Sequence, residues 1–477
     1  MITLRKNQSE PIRKAIDFFH AKKSVPSLIV LPTAWGKSIL TAFTAKSMDD
    51  KLLVLQPSKE LLEQNYKKYV SLCDFEAHAG IYSASFGRKE INKITYATIG
   101  SIKNIGRLFK QLGFNKMLID EAHLYPREAD SMLGTFLAES GITHVLGITA
   151  TPVKLQQNTD LSGNRFSKLV MLTSRSKKGN FFKEIIHVGQ VREMVELGFW
   201  SRLEYQVTGF DGSLLVYNSS KSEYTDESVE RAFMANDIHG QIKRQLNENS
   251  GRRHILVFVP SVREAIDLSR QYPDSAAVYG DMDKAERERA IDNFRKGKTR
   301  VIFNVRVLST GFDYTGIDCI ILGISTASIA LYYQIIGRAT RIDPDKTDAL
   351  IIDLAGNVER FGRVEDITFE REGVWRMYGS GGKLLSGIPI HDIGKVTKET
   401  QATPTTEKSG SFLTPLEIMP FGKYKGERIA DIPKDYKQWM LNKFEWTPAN
   451  ESLRMAIVEQ NEVIKKNVYG KNNQIIT

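Results

Sequence analysis

Ser27-Leu28-Ile29-Val30-Leu31-Pro32-Thr33-Ala34-Trp35-Gly36-Lys37-Ser38 is the stretch that decides the fold. Its first five residues are almost continuously apolar. A run without polar alternation reads as a strand buried on both faces. The next residues turn, and Gly36-Lys37-Ser38 opens an amphipathic segment. A strand-to-helix turn of this composition gathers backbone N–H groups and an ammonium at one point, which suits a phosphate. The strict pattern G-x-x-x-x-G-K-[ST] needs Gly where Leu31 stands. Alone, the triplet also fits an ordinary turn.

Outward from this stretch the same alternation continues. Residues 51–55, 94–99, 117–119 and 145–148 are short apolar runs, and residues 60–69 have helical spacing. The pattern resumes with runs at 255–259, 276–279, 300–303, 319–322 and 349–352, with a helix expected over 263–270. Two sets of buried strands separated by helices imply an α/β chain with two parallel sheets.

The length of 477 residues suggests roughly three domains. Hydrophobic residues make up 41%, charged 26% and aromatic 9%, which excludes a wholly disordered or collagen-like chain. Cys73 and Cys319 cannot build a disulfide framework or a four-thiolate zinc site. No apolar run approaches the roughly 18 residues of a membrane span, and the opening residues lack a signal peptide's apolar core. No membrane partner is expected, and a reducing compartment fits. The formal charge is +10, with 66 basic and 56 acidic residues. Residues 1–183 hold 27 basic and 15 acidic residues, so the excess belongs to the first part of the chain. A polyanion partner fits that address.

Met117-Leu118-Ile119-Asp120-Glu121-Ala122-His123 places two acids after an apolar run. With a phosphate loop nearby, Asp120 and Ser38 would hold Mg²⁺, while Glu121 would orient and deprotonate an attacking water. The acids could instead cap a helix N-terminus. Gln334-Ile335-Ile336-Gly337-Arg338-Ala339-Thr340-Arg341 carries two arginines three apart, on one face if helical. From a second domain they could reach a γ-phosphate across a closing cleft.

These segments together resemble the superfamily 2 helicases and translocases over about residues 1–360. Asp120-Glu121-Ala122-His123 is similar to their DEAH-type motif II, Thr149-Ala150-Thr151 to motif III, Leu308 through Asp313 to motif V, and Gln334 through Arg341 to motif VI. The resemblance implies two tandem RecA-like domains with an ATP cleft between them, and a small C-terminal domain on a flexible linker. It implies ATP and Mg²⁺ as cofactors. Thr33, Ala34, Trp35, Gly36, Lys37 and Ser38 would cradle phosphates, Gln8 would read the adenine edge, and Asp313 would sense nucleotide. His123, Thr149, Thr151 and Gln334 would couple the ATP cleft to the strand, with Arg338 and Arg341 acting on the transferred phosphate. Pro57, Ser58, Lys59, Thr98, Ser101, Pro260, Ser261, Ser309 and Thr310 would bind a nucleic-acid backbone. Small hydroxyls at these positions are also ordinary turn residues. Ala34 and Trp35 depart from the small residues usual in this loop. Trp35 would pack against a neighbouring domain or the strand, or point outward.

Motif II, motif VI and Asp353-Leu354-Ala355-Gly356-Asn357 look most like UvsW-type phage branch-migration and RadD-type repair motors. The zinc cysteines frequent in RadD-type proteins are missing. A forked, branched or single-stranded DNA partner follows, with RNA left open. A passive clamp with weak ATPase and a restriction motor subunit are the competing readings. The boundaries read as domain 1 at 1–155, a basic connector at 156–183, domain 2 with an extension at 184–393, a linker at 394–415, a small domain at 416–465 and a tail at 466–477. In the connector, Arg175, Lys177 and Lys178 beside Phe181-Phe182 could grip phosphate and stack a base, or form a solvated loop over two core phenylalanines. Phe421-Gly422-Lys423-Tyr424-Lys425-Gly426 resembles a signature of a small phage and bacterial domain. That domain would contact nucleic acid, or dock a copy of itself or replication and recombination proteins.

Overall fold

The register of β1 explains the architecture. After α1 (Ser9–His20), β1 (Ser27–Val30) is buried at every residue, and its fate is to lie inside a sheet. The chain continues through α2 (Lys37–Lys46), β2 (Leu52–Leu55), α3 (Lys59–Leu72), β3 (Ala79–Ser83), β4 (Arg88–Lys89), β5 (Ile94–Ala97), α4 (Ile99–Ile102), α5 (Gly106–Gln111), β6 (Lys116–Ile119), α6 (Met132–Ser140), β7 (His144–Thr149), β8 (Val153–Thr159), β9 (Arg165–Met171) and β10 (Glu184–Val188). Eight of these strands form one sheet in the order β10-β1-β7-β6-β2-β5-β3-β4. All pairings in it are parallel except β3 with β4. Val30 lies opposite Thr149, and Ile119 opposite Gly147 and Leu55. The loops after β1, β6 and β7 therefore emerge at one edge of the sheet, where open parallel sheets bind ligands.

The second sheet follows α7 (Val191–Glu196). It uses β11 (Arg202–Val207), then, after α8 (Asp226–Ala235) and α9 (Ile238–Glu248), β12 (Ile255–Phe258). Next come α10 (Val262–Ser269), β13 (Ser275–Val278), α11 (Lys284–Arg295), β14 (Val301–Asn304), β15 (Cys319–Leu322), α12 (Ile329–Ile336) and β16 (Asp348–Asp353). The order is β11-β16-β15-β12-β14-β13, parallel throughout. Then α13 (Asn357–Phe361) leads to an antiparallel hairpin of β17 (Thr368–Glu372) and β18 (Val374–Tyr378).

This computed structural model describes residues 4–72, 78–125, 131–159, 165–173, 180–219, 223–305, 307–308, 314–393, 397, 419, 423–424, 427–444, 453–454 and 457–458. The chain divides into two units, Met1–Gln156 with Ser167–Gln401, and Gln157–Phe166 with Ala402–Thr477. Both large sheets belong to the first. The second has its own core of Met419, Ile429, Ile432, Met440, Leu453 and Ile457, with α14 (Lys434–Lys443) supplying Met440. The linker expected at 394–415 lies outside the described residues except for Thr397.

Three local readings change. Residues 184–188, placed by sequence in the second domain, are β10 of the first sheet, because Leu28 pairs with Ile185 along the open side of β1. The connector contains β9, whose Ser167, Leu169 and Met171 are buried and whose Lys168 and Val170 are half-buried, an alternation hidden by its basic residues. Phe182 is no base-stacking platform. It is fully buried, and a Cβ on Gly147 of β7 would meet its ring at 2.6 Å. Phe181 packs edge-on against it at 5.2 Å. Arg175, Lys177 and Lys178 lie outside the described residues.

Phe182→Ala is accordingly expected to destabilise the first sheet by about 3–5 kcal/mol. Chemical unfolding should register that loss as a lower midpoint.

Candidate functional site

The phosphate loop extends β1 by one more ladder bond, from Leu31 N–H to the Thr149 carbonyl at 2.9 Å. Leu31 is fully buried, so the position that the strict pattern gives to Gly still belongs to the strand here. The turn comes later. Ala34 has φ +56° and Gly36 φ +100°. An L-residue in this region costs roughly 1–2 kcal/mol. A Cβ on Gly36 would also lie 2.7 Å from Gln8 Nε2. Gln8 is buried and clasps the loop: its Nε2 donates to the Trp35 carbonyl at 2.9 Å, and its Oε1 accepts from Arg5 N–H at 2.9 Å. These bonds use one N–H and one lone pair of the amide, and Gln8 does not itself line the cleft that Lys37 and Glu121 line. Trp35 points inward and is 1% exposed, within the core of the first sheet.

Asp120 and Glu121 follow β6. Glu121 has φ +46°, a strained conformation for a side-chain-bearing residue. That turn aims its carboxylate at Lys37, with which it forms a close ion pair. Asp120 Oδ1 accepts from Glu121 N–H at 2.9 Å, and Oδ2 accepts from Asn65 Nδ2 at 3.1 Å. Burial, helped by the Glu121 charge and opposed by Lys37, pushes the Asp120 carboxyl up to about 6. Burial works to raise Glu121 as well, but Lys37, His123 and Arg338 hold it below the ordinary carboxylate value. His123 Nδ1 lies 3.5 Å from Glu121 Oε2 and 2.9 Å from Thr149 Oγ1. Thr149 Oγ1 in turn accepts from Thr151 N–H at 3.1 Å. A polar chain thus runs from the acid to the loop after β7.

A cleft of about 1110 Å³ joins these groups to the second sheet. Thr33, Ala34, Gly36, Lys37, Ser38, Pro57, Ser58, Asp120, Glu121 and Thr151 line one side, and Gln334, Arg338 and Arg341 the other. Gln334 is on α12, but the arginines lie in the turn beyond it, since α12 ends at Ile336. They reach the cleft from that turn rather than from a helix face. Ser38 and Asp120 present hard oxygen donors to one space, the donor set that Mg²⁺ combines with phosphate and water.

The strand-binding positions fare differently. Ser58 Oγ accepts from Leu61 N–H at 3.3 Å and Ser261 Oγ from Glu264 N–H at 3.4 Å, each at a helix start. Such a hydroxyl still has its own proton to donate to a phosphate. Ser101 Oγ accepts from Ala84 N–H at 2.9 Å and lies 3.0 Å from Thr98 Oγ1. Lys59 Nζ sits 4.6 Å from the centre of the Phe86 ring. Lys59, Thr98, Ser101, Pro260 and Ser261 do not line the cleft. Ser309, Thr310 and Asp313 lie outside the described residues.

Sequence reading missed Asn65, whose signal is a polar residue on the buried face of α3 between Leu62 and Tyr69. It also missed Arg287 and Arg295 of α11, which line the cleft. In the small C-terminal unit, Tyr424 packs edge-on against Tyr436 at 4.8 Å, and Tyr436 stacks on Trp439 at 5.5 Å.

Comparison with known proteins follows this geometry. Residues 1–154 match the family described as type III restriction enzyme, res subunit, and residues 237–343 the helicase conserved C-terminal domain. Carried in this order on the two sheets, these matches support a likeness to the superfamily 2 helicases. It is 26% identical over 378 residues to the putative mitochondrial ATP-dependent helicase irc3 of Schizosaccharomyces pombe, covering 75% of this chain and 58% of that protein. It is 24% identical over 385 residues to the DNA 3'-5' translocase XPB2 of Sulfurisphaera tokodaii, covering 74% and 81%. The fold is similar to that of the ATP-dependent type ISP restriction-modification enzyme LlaBIII bound to DNA, with a TM-score of 0.53 at 17% identity over 74% of this chain and 28% of that one. The chain thus spans less than two thirds of the fission-yeast relative. Residues 414–454 match a family described as putative quorum-sensing-regulated virulence factor.

The loop geometry separates two substitutions. Gly36→Ala should weaken ATP binding about tenfold or more, through strain and collision with Gln8. Ala34→Gly should keep turnover without lowering the melting temperature. Nucleotide titration and thermal melts check both.

Proposed function

We propose that this chain is an ATP-driven DNA motor that remodels forked or branched DNA. The observation that carries the ATPase part is the cleft in which Lys37, Asp120 and Glu121 face Arg338 and Arg341 from the other sheet. Lys37 leaves Glu121 for the β and γ phosphates of ATP. Its departure removes a positive charge from Glu121, whose basicity rises as water arrives. Water attacks the γ-phosphorus, its proton passes to Glu121, and the bond to the bridging oxygen of the ADP leaving group breaks. Arg338 and Arg341 stabilise the charge that develops on the transferred group, a contribution of roughly 10³ to 10⁵ in rate. Mg²⁺, held by Ser38 and Asp120, would neutralise phosphate charge. Gln8 would take the adenine edge through the free half of its amide.

Loss of the γ-phosphate removes the bridge between the sheets, and the cleft relaxes. Nucleic acid would contact Pro57, Ser58, Lys59, Thr98, Ser101, Pro260, Ser261, Ser309 and Thr310. The basic excess of residues 1–183 supports a phosphate track. Likeness to a DNA translocase and to a DNA-bound restriction enzyme supports DNA as the track. The preference for branched DNA rests on the resemblance of motifs II and VI to UvsW-type and RadD-type motors. Among the described residues no helix is long and apolar enough to cross a membrane. A motor subunit of a restriction system is the second reading, favoured by the match of residues 1–154.

ATP hydrolysis should rise when DNA is added, with forked or junction DNA exceeding linear duplex and RNA in both ATPase and unwinding assays. Lys37→Ala or Glu121→Gln should bring turnover to background and leave strand binding intact. Full turnover by the Glu121→Gln protein contradicts the assignment. Preference for RNA duplex over forked DNA contradicts the substrate.

A further inference from the structure

The segment that carries the chain from the first sheet to the second touches both halves of the cleft at two adjacent residues. Trp200 is 4% exposed and its indole N–H donates to the Thr33 carbonyl of the phosphate loop at 3.0 Å. Ser201 donates from its backbone N–H to the Thr340 carbonyl at 2.8 Å and from Oγ to the Arg341 carbonyl at 2.9 Å. One dipeptide therefore ties the phosphate loop to the turn that bears Arg338 and Arg341. The tie is reinforced on its flanks. The Trp200 ring lies 6.4 Å from that of Tyr333 on α12, and a Cβ on Gly337 would stand 2.7 Å from Thr33 Oγ1. Phe199 packs under the Arg5 guanidinium at 4.7 Å, and Trp200 N–H closes on the Met194 carbonyl at the end of α7.

We infer that Trp200 and Ser201 form a transmission link that sets the arginine turn from the position of the phosphate loop. The inference rests on the ATPase reading of the cleft. The indole bond holds a loop carbonyl beside Ala34, whose conformation must change if the loop moves. Such a move is passed within one residue to two carbonyls of the arginine turn. The link does not touch nucleotide. Trp200 is a positioning residue that acts through Arg338 and Arg341, so its effect belongs on the chemical step rather than on ATP binding.

The test uses the full chain and steady-state ATPase kinetics with saturating DNA. Trp200→Phe keeps an aromatic ring beside Tyr333 and removes only the N–H donor. It should lower kcat about five- to tenfold, the scale of one neutral hydrogen bond, with KM for ATP changed less than about twofold. The same substitution in an Arg341→Lys background should lower kcat by less than about twofold, because the two changes act through one link. Ser201→Ala removes one of the two bonds at the arginine side and should shift kcat in the same direction by a smaller factor. It decides the matter if Trp200→Phe does not fold. A fall of the same factor in both backgrounds, no fall in the otherwise unchanged protein, or a change confined to KM overturns the inference. Absence of ATPase from the unsubstituted protein would instead overturn the motor reading on which it rests.

Discussion

The ion pair between Lys37 and Glu121 is the interaction around which the molecule is arranged. It joins the first residue of α2 to the second residue after β6, across a sheet in which β7 separates β1 from β6. The parallel register makes it possible, because the loops after all three strands leave at one edge. Both side chains are largely shielded from water, so neither charge is comfortable without the other. In the proposed cycle an anion that takes Lys37 draws it from Glu121, and this exchange links phosphate binding to the appearance of a base.

Strain is concentrated at the same place. Ala34 and Glu121 are two of the three side-chain-bearing residues with positive φ among the described residues, and Gly36 adds a third such position in the cleft. The surrounding strands over-determine these conformations. Leu31 is pinned to β7 and Asp120 N–H to the Leu55 carbonyl of β2, so the turns between them take what geometry remains. Such deviations persist where a rigid frame holds them and where their placement of a side chain is used.

Much of this was legible in the sequence because the central strands are buried on both faces. Continuous runs such as 52–55 and 255–258 have no amphipathic ambiguity, and they fixed both sheets. The strand-turn-helix at residues 27–46 was legible despite Leu31, because a strand, a turn and Gly36-Lys37-Ser38 stood in order. The failures have a common cause. β3 reads Ala-Gly-Ile-Tyr-Ser and β9 carries basic residues, so neither looks like a buried strand without its neighbours. β10 is close in sequence to the second sheet but pairs with the first. Asn65 and Trp200 act across long separations, to Asp120 and to Thr33, and no local pattern announces such partners. The arginines were found by type and spacing, but the end of α12 before them was not, since a single Gly337 between Ile336 and Arg338 is a weak stop.

The cleft sets Lys37 and Glu121 against Arg338 and Arg341, and the proposed exchange at Lys37 is the step on which its chemistry turns. A crystal structure with Mg²⁺ and a non-hydrolysable ATP analogue tests it most directly. The account predicts the β and γ phosphates on Lys37, with the pair to Glu121 broken and Arg338 and Arg341 turned to the γ-phosphate. An analogue bound away from this cleft, or bound in it with the Lys37–Glu121 pair intact, would contradict it.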